Sequence, residues 1–343
     1  MNGIMRALCA ETDSPTNRIT TPTRREISMR ILKRLLAGIG LLLVIGYVGL
    51  IVYAYWPTGI EEVPAKSLAS PADKFAAVDG LELRYRTFGT PADDKPNLVL
   101  LHGMANSIQS FRFVAPLLAD DYYVVTVDMP GFGLSSKPDD FDYRTGNMAR
   151  VVGEFIRTLG LEEAVVGGHS MGGLIAMRVA LDEPEINGLV LMNPGIISSG
   201  VPPITKYLPF PFQRLSAKQF GDRDFREQFL KISYVDPGIV TEDVMDDLQL
   251  AVRSEGYLTG TTTMMGQYED AQERYMMGEV DVPVAIVWGA KDRNKPPEEL
   301  AALRDGFRQN ILIEADNAGH YVHEESPEIV ANGLIEAKDL WED

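Results

Sequence analysis

Between residues 97 and 192 the chain repeats one pattern, a short run of buried-strand character followed by a longer stretch with apolar residues at helical spacing. Strand candidates Asn97–Leu101, Tyr123–Val127, Ala164–Gly167 and Gly188–Met192 alternate with helical stretches at Ser110–Leu118, 143–159 and Met171–Leu181. Compact apolar strands joined by helical crossovers pair in parallel and are covered on both faces. The fold class predicted is α/β, a mostly parallel central sheet flanked by helices. Residues 75–88 alternate as an antiparallel hairpin at a sheet edge, turning near Asp79-Gly80.

The alternation breaks over residues 196–279, which contain helical patches, many Pro, Gly, Met and aromatic residues, and no clear buried strand. That stretch reads as an inserted helical lid. Strand and helix return at Val284–Trp288 and Pro297–Phe307, and the chain closes with a strand at Ile311–Glu314 and a helix at Pro327–Trp341. A core of 74–195 and 280–343 follows, interrupted by the lid. No internal repeat or low-complexity tract is present.

Ahead of this body, Leu35–Trp56 is 22 residues without a formal charge. As a helix it spans roughly 33 Å, against a hydrocarbon core of about 30 Å. Arg24, Arg25, Arg30, Lys33 and Arg34 precede it, and Glu61 and Glu62 follow. The positive-inside rule then predicts a single-pass signal anchor with residues 1–34 cytoplasmic and the body on the far side, periplasmic in a bacterium. Tyr53, Tyr55 and Trp56 stand where an interfacial aromatic belt is expected. A cleaved signal peptide is the competing reading, but its apolar region is usually about 7–15 residues and ends in small residues. Met29 opens a conventional signal-anchor start, so residues 1–28 are open to lying ahead of the natural initiator. Residues 57–73, with Pro57, Pro64 and Pro71, read as an extended linker.

The net charge of −17 argues against a nucleic-acid partner, which needs clustered Lys and Arg. Cys9 is the single cysteine and the four histidines are scattered, so neither an intramolecular disulfide nor a metal-ligand spacing is available.

The strongest chemical signal is Gly168-His169-Ser170-Met171-Gly172, a G-x-S-x-G string between a predicted strand and a predicted helix. A turn that sharp needs small neighbours, and it lifts the serine hydroxyl above the sheet beside a helix N-terminus. A hydroxyl becomes an effective nucleophile when an imidazole takes its proton, and a carboxylate must orient that imidazole. Downstream of Ser170 stand His320, in the loop after Ile311–Glu314, and His323, read as a surface or helix-entry residue. Position at a strand's carboxyl end favours His320 as the base. Asp292, past Val284–Trp288, is favoured as the acid over Asp316, which is expected to make turn contacts. Asn193, after the preceding strand, is a neutral amide and cannot supply the charge. The oxyanion donors expected are the backbone amides of Met171 and Met104, and His102 and His169 are read as scaffold residues. Tyr207, Phe210, Phe212, Met264, Met265, Met276 and Met277 are candidates for an apolar substrate lining, or for the lid's own core.

With His102-Gly103, Asp128-Met129-Pro130-Gly131-Phe132-Gly133-Leu134-Ser135, the Ser170 motif, Asp292 and His320 in that order, the chain resembles the α/β-hydrolase superfamily from residue 74 to 342. It is most similar to monoacylglycerol lipases, small-molecule esterases and their membrane-anchored relatives. The resemblance implies an α/β-hydrolase fold with a helical lid, hydrolysis of apolar or lipid-like carboxylic esters, and no metal or organic cofactor. It also implies a structural role for Asp128–Ser135. Haloalkane dehalogenases and epoxide hydrolases attack with aspartate, so Ser170 argues against both. Carbon–carbon hydrolases of aromatic ring-cleavage products use serine and have lids with stretches like Tyr234-Val235-Asp236-Pro237, so they remain the competing activity. A catalytically silent binding protein on the same fold is the non-enzymatic alternative.

Overall fold

The structure, a computed structural model, describes residues 23–198, 207, 209–267 and 273–341. The tail before Thr23, with Cys9, lies outside the described residues, as do 199–206, 208 and 268–272 within the stretch expected to form a lid. The chain divides into two units, Met1–Tyr55 and Trp56–Asp343.

Among the described residues of the first unit the helix α1 (Arg24–Tyr55) runs for 32 residues. It starts eleven residues ahead of the charge-free stretch, because Arg, Lys and Leu lose little side-chain freedom in a helix and extend it readily. Its segment Ile27–Tyr55 is long and apolar enough to cross a membrane.

The second unit is built on eight strands. In chain order its elements are β1 (Lys74–Val78), β2 (Leu81–Phe88), β3 (Asn97–Leu101), α2 (Val114–Leu118), β4 (Tyr123–Val127), α3 (Thr145–Thr158), β5 (Ala164–His169), α4 (Met171–Asp182) and β6 (Ile186–Met192). Four helices follow: α5 (Phe212–Gly221), α6 (Arg223–Ser233), α7 (Glu242–Arg253) and α8 (Tyr257–Gln267). The chain ends with β7 (Val284–Gly289), α9 (Glu298–Gly306), β8 (Asn310–Ala315), α10 (Val322–Glu325) and α11 (Pro327–Glu336). The sheet order is β1-β2-β4-β3-β5-β6-β7-β8, with β2 antiparallel to both neighbours and β3 to β8 parallel. The direction of winding reverses around β3, so the chain leaves β3 and β5 toward opposite faces of the sheet, and it is at the carboxyl ends of strands at such a point that open α/β sheets hold ligands.

Successive side chains of a strand point to opposite faces, and both faces here are buried. Val99 and Leu101 of β3 join one apolar cluster with Val151, Val152 and Phe155 of α3 and Leu174 and Ile175 of α4. Leu98 and Leu100 join the other, with Val114 and Leu118 of α2 and Val330 and Leu334 of α11. Fully burying side chains of this size stabilises the fold by roughly 1.5–3 kcal/mol each, which makes this two-faced core the main support of the strand ends.

Three stretches depart from the sequence expectation. The helix expected over Ser110–Leu118 is a 3-10 turn at Ile108–Phe111 followed by the short α2. Its first amides are diverted to side chains, Ile108 N–H to the Asp128 carboxylate at 2.8 Å and Gln109 N–H to Ser107 Oγ at 3.4 Å. The closing helix ends at Glu336, and a 3-10 turn at Lys338–Trp341 swings Trp341 inward so that its indole donates to Tyr122 Oη at 3.0 Å. Residues before β1 lie against the domain: Val63 N–H donates to the Arg253 carbonyl at 2.8 Å, and the Val63 carbonyl accepts from Glu255 N–H at 3.0 Å.

Candidate active site

Ser170 sits between β5 and α4 at φ 52°, ψ −116°. A non-glycine residue held there costs of order 1–3 kcal/mol, and its surroundings over-determine it. Its N–H donates to the Met192 carbonyl at 3.1 Å, and its carbonyl accepts from Gly195 N–H at 2.8 Å and Gly173 N–H at 3.0 Å. The flanking glycines are steric requirements: a Cβ on Gly168 would stand 2.1 Å from the Gly172 oxygen, and one on Gly172 would stand 2.2 Å from the Leu101 oxygen.

Asp292 follows β7 and His320 follows β8, and the two side chains meet: His320 Nδ1 donates to Asp292 Oδ2 at 2.7 Å. That bond fixes the tautomer and leaves Nε2 as the basic nitrogen of the ring. The Asp292 side chain is 1% exposed. Burial pushes its carboxyl up, but the hydrogen bond and charge of His320, the Asn294 N–H on Oδ1 at 2.7 Å and the Asn193 Nδ2 on Oδ2 at 2.8 Å outweigh it and hold the group below the usual carboxylate value. Asp316 is exposed on the same loop as His320, and Asp292 is the carboxylate that His320 engages.

His169, the neighbour of Ser170, ties that turn to the His320 loop. Its Nε2 lies 2.9 Å from the His320 carbonyl, and the two rings stand edge to face at 4.7 Å. Burial first, and then the charges of His320 and His323, hold the His169 pKa well below the usual histidine value, so it remains a neutral donor. His102 is also held low by burial, with Nδ1 donating to the Gly103 carbonyl at 2.8 Å and Nε2 accepting from Met129 N–H at 3.2 Å. His102 is thus held by the loops around it, whereas His169 bonds across to the His320 loop and its Nδ1 is buried without a partner among the described residues.

His323 corrects a sequence expectation. It lies in α10, but it is fully buried rather than at the surface. Nε2 contacts Ser110 Oγ at 2.8 Å, whose hydroxyl donates to Glu324, and burial pushes the His323 pKa down to about 3.

Met104 stands on the loop after β3, and Met171 opens α4 directly after the Ser170 turn. The loop after β3 touches the Ser170 turn, since a Cβ on Gly103 would lie 3.4 Å from Ser170 Cβ. Neither amide N–H donates a hydrogen bond among the described residues. Both side chains are partly buried against the main apolar cluster, as are Met264 and Met276, whereas Met277 is part of that core. Phe212 and Met265 are half-buried, and Tyr207 and Phe210 are exposed.

The residue that sequence reasoning passed over is Asn193. Its φ is 40° and it is fully buried; Oδ1 accepts from Gly289 N–H at 3.0 Å while Nδ2 holds Asp292. A sequence signal existed, a polar residue at the carboxyl end of β6, but it was weighed there only as an acid.

Residues 96–327 match a family model described as alpha/beta hydrolase fold. The uncharacterized hydrolase YugF of Bacillus subtilis is 29% identical over 78% of this chain and 97% of its own length. A 2-hydroxy-6-oxononadienedioate/2-hydroxy-6-oxononatrienedioate hydrolase of Paraburkholderia phymatum is 32% identical over 73% of this chain and 88% of its own. Among solved structures, a membrane phospholipase A, a bacterial virulence factor, superposes with a TM-score of 0.66 at 23% identity, covering 91% of this chain and 99% of that one. With the parallel sheet and the inserted helices, these matches make the chain a member of the α/β-hydrolase family of hydrolases.

Proposed function

We propose that this protein is a serine hydrolase of carboxylic esters with an apolar acyl group, acting through Ser170, His320 and Asp292. The observation that carries the reading is the Asp292–His320 pair at 2.7 Å, facing away from solvent and tied by His169 to the turn that strains Ser170. Ser170 Oγ attacks the ester carbonyl as His320 Nε2 takes its proton, and Asp292 stabilises the imidazolium. The free amides of Met104 and Met171 receive the oxyanion. His320 returns the proton to the leaving alcohol; water then attacks the acyl-enzyme by the same route. No metal or organic cofactor enters these steps. The half-buried methionines 104, 171 and 264 on the shared apolar cluster support an adaptable apolar lining, and Tyr207, Phe210, Phe212 and Met265 complete the proposed substrate contacts.

A fluorophosphonate probe tests the serine: labelling of the wild type that disappears in Ser170→Ala is expected, and labelling that survives the substitution overturns the assignment. A series of p-nitrophenyl esters of increasing acyl length then tests the substrate class. The relative from Paraburkholderia phymatum, 32% identical, supports one second reading, carbon–carbon hydrolysis of a ring-cleavage product. Turnover of such a dienol acid with no ester cleaved selects that reading.

We also propose that residues 35–56 hold the protein in a membrane as a single-pass anchor, with the N-terminus cytoplasmic and the lid (196–279) and catalytic core (74–195, 280–343) on the far side. The apolar length of α1 and its basic start support this.

A further inference from the structure

The lid carries a buried cation with no carboxylate against it. Arg226 of α6 is 3% exposed. Its Nη1 donates to the Leu248 carbonyl of α7 at 3.0 Å and its Nη2 to the Ala105 carbonyl, while Nε is buried without a partner among the described residues. The acidic groups that bear on its charge are the phenols of Tyr257 and Tyr321. A guanidinium stays protonated in a protein, and an unpaired buried charge is costly. Two carbonyl dipoles answer only part of that cost. Such an arrangement persists where the geometry it enforces matters.

The geometry concerned is a turn. Asn106 N–H donates to the Gly103 carbonyl at 3.3 Å, closing Gly103–Asn106 with Met104 and Ala105 in its middle. Ala105 has φ 58°, a left-handed conformation that costs an alanine roughly 1–2 kcal/mol. If Ala105 relaxed, the peptide joining Met104 to Ala105 would flip and the turn that carries Met104 would change type. Arg226 holds the one carbonyl that this residue presents to the lid. Two helical turns further on, the same helix ends at Ser233, whose carbonyl accepts from His320 N–H at 3.3 Å and whose Oγ accepts from Asn294 Nδ2 at 3.0 Å. The helix α6 therefore rests on the loop after β3 at one end and on the loops of Asp292 and His320 at the other.

We propose that Arg226 is a positioning residue for the oxyanion hole: seated in the lid, it clasps the Ala105 carbonyl, keeps Ala105 left-handed and so pins the Gly103–Asn106 turn that carries the Met104 amide. The inference rests on the reading of Ser170 and Met104 given under the proposed function. It makes the hole complete only while α6 is seated, which couples lid position to turnover. Lysine cannot replace the fork, because one ammonium does not reach carbonyls on two elements in fixed directions.

The test uses the full chain in detergent with p-nitrophenyl butyrate, and an alkyl boronic acid as a mimic of the tetrahedral adduct. Arg226→Met is expected to lower kcat about ten- to hundredfold, below the loss from deleting an oxyanion donor outright. KM should change little, and boronate affinity should fall in step with kcat. Arg226→Lys should behave nearly as the methionine variant. Adding Ala105→Gly to Arg226→Met should restore part of kcat, because glycine adopts the left-handed conformation without strain. Three results overturn the proposal: a change confined to KM; a loss confined to esters that carry an anionic group, which would make Arg226 a reader of substrate charge; or a loss that follows the melting temperature and that glycine does not relieve. Failure of the underlying reading looks different, as a Ser170→Ala variant with undiminished activity.

Discussion

At Asp292 three donors converge on one carboxylate, and the amide of Asn193 is the donor whose replacement is most informative. Asn193→Asp exchanges a donor at 2.8 Å for a second carboxylate. Like charges that close cannot both ionise at ordinary cost, so the pair retains a proton in a pH range where Asp292 alone, held below the usual carboxylate value, is ionised. The acid limb of kcat/KM against pH is expected to move to higher pH, with turnover reduced across it; an unmoved limb would mean that Asn193 does not act on Asp292. Ser170→Ala, Asp292→Asn and His320→Gln should each lower kcat by several orders of magnitude with little change in melting temperature, measured on p-nitrophenyl butyrate and by thermal denaturation. Much of this site was legible in the sequence, because strand ends can be placed from hydrophobic runs and Ser170, Asp292 and His320 each follow one. Asn193 and the partner of His169 were not, since a donor's value depends on which group faces it across 99 or 151 residues of chain.

Among the elements, the corner between α7 and α8 gathers pieces distant in sequence. Lys137, from the loop after β4, donates to the Ser135 carbonyl at 2.9 Å and to Ser254 Oγ at 2.6 Å, and Glu62 accepts from Gly256 N–H at 2.9 Å beside the start of α8. Residues 57–73 read as a linker because their composition is that of one; that Val63 and Glu62 bond to a corner about 190 residues away has no local signature. The sheet, by contrast, was legible strand by strand, since both of its faces are apolar and its order follows from right-handed crossovers. Burial brings the Lys137 ammonium down to about 7; the Asp128 and Glu62 carboxylates oppose that fall and Arg84 adds to it. Unfolded, the amine titrates near the ordinary lysine value of 10.5. Between those two pH values the unfolded chain binds more protons, so this group makes stability rise with pH, by up to ~1.4 kcal/mol per unit. Below the lower value both states are charged and the burial penalty is present in full. The stability of the wild type relative to Lys137→Met should therefore be flat below pH 6 and grow from pH 7 to 9, measured by denaturant unfolding at each pH. Parallel curves would show that the buried amine titrates normally.

For the whole molecule, the question is where the enzyme can be cut from its helix. α1 ends at Tyr55, and the first backbone bond to the corner between α7 and α8 is made at Val63. Eight chain steps, at no more than about 3.6 Å each, lead from Tyr55 to Val63, a contour under ~29 Å, and along it the Trp56 carbonyl accepts from Lys218 Nζ at 2.8 Å. A chain beginning at Pro57 keeps Glu62 and Val63, and it is expected to leave the membrane fraction, stay soluble and hydrolyse p-nitrophenyl butyrate with a kcat close to that of the full protein. A chain beginning at Ala69 loses both backbone bonds of Val63 and the Glu62 carboxylate that accepts from Gly256 and Leu258 N–H. The Arg253 carbonyl and the Glu255 amide then lose their partners, at about 1 kcal/mol for each net hydrogen bond. Its melting temperature should fall by several degrees, with kcat or KM shifting too if the corner sets the position of α8. Fractionation after an alkaline wash, together with melting curves, separates the two cuts. If both truncated chains match in stability and turnover, residues 57–68 are a spacer and nothing more; if the chain from Pro57 still sediments with membranes, α1 is not what holds the enzyme there.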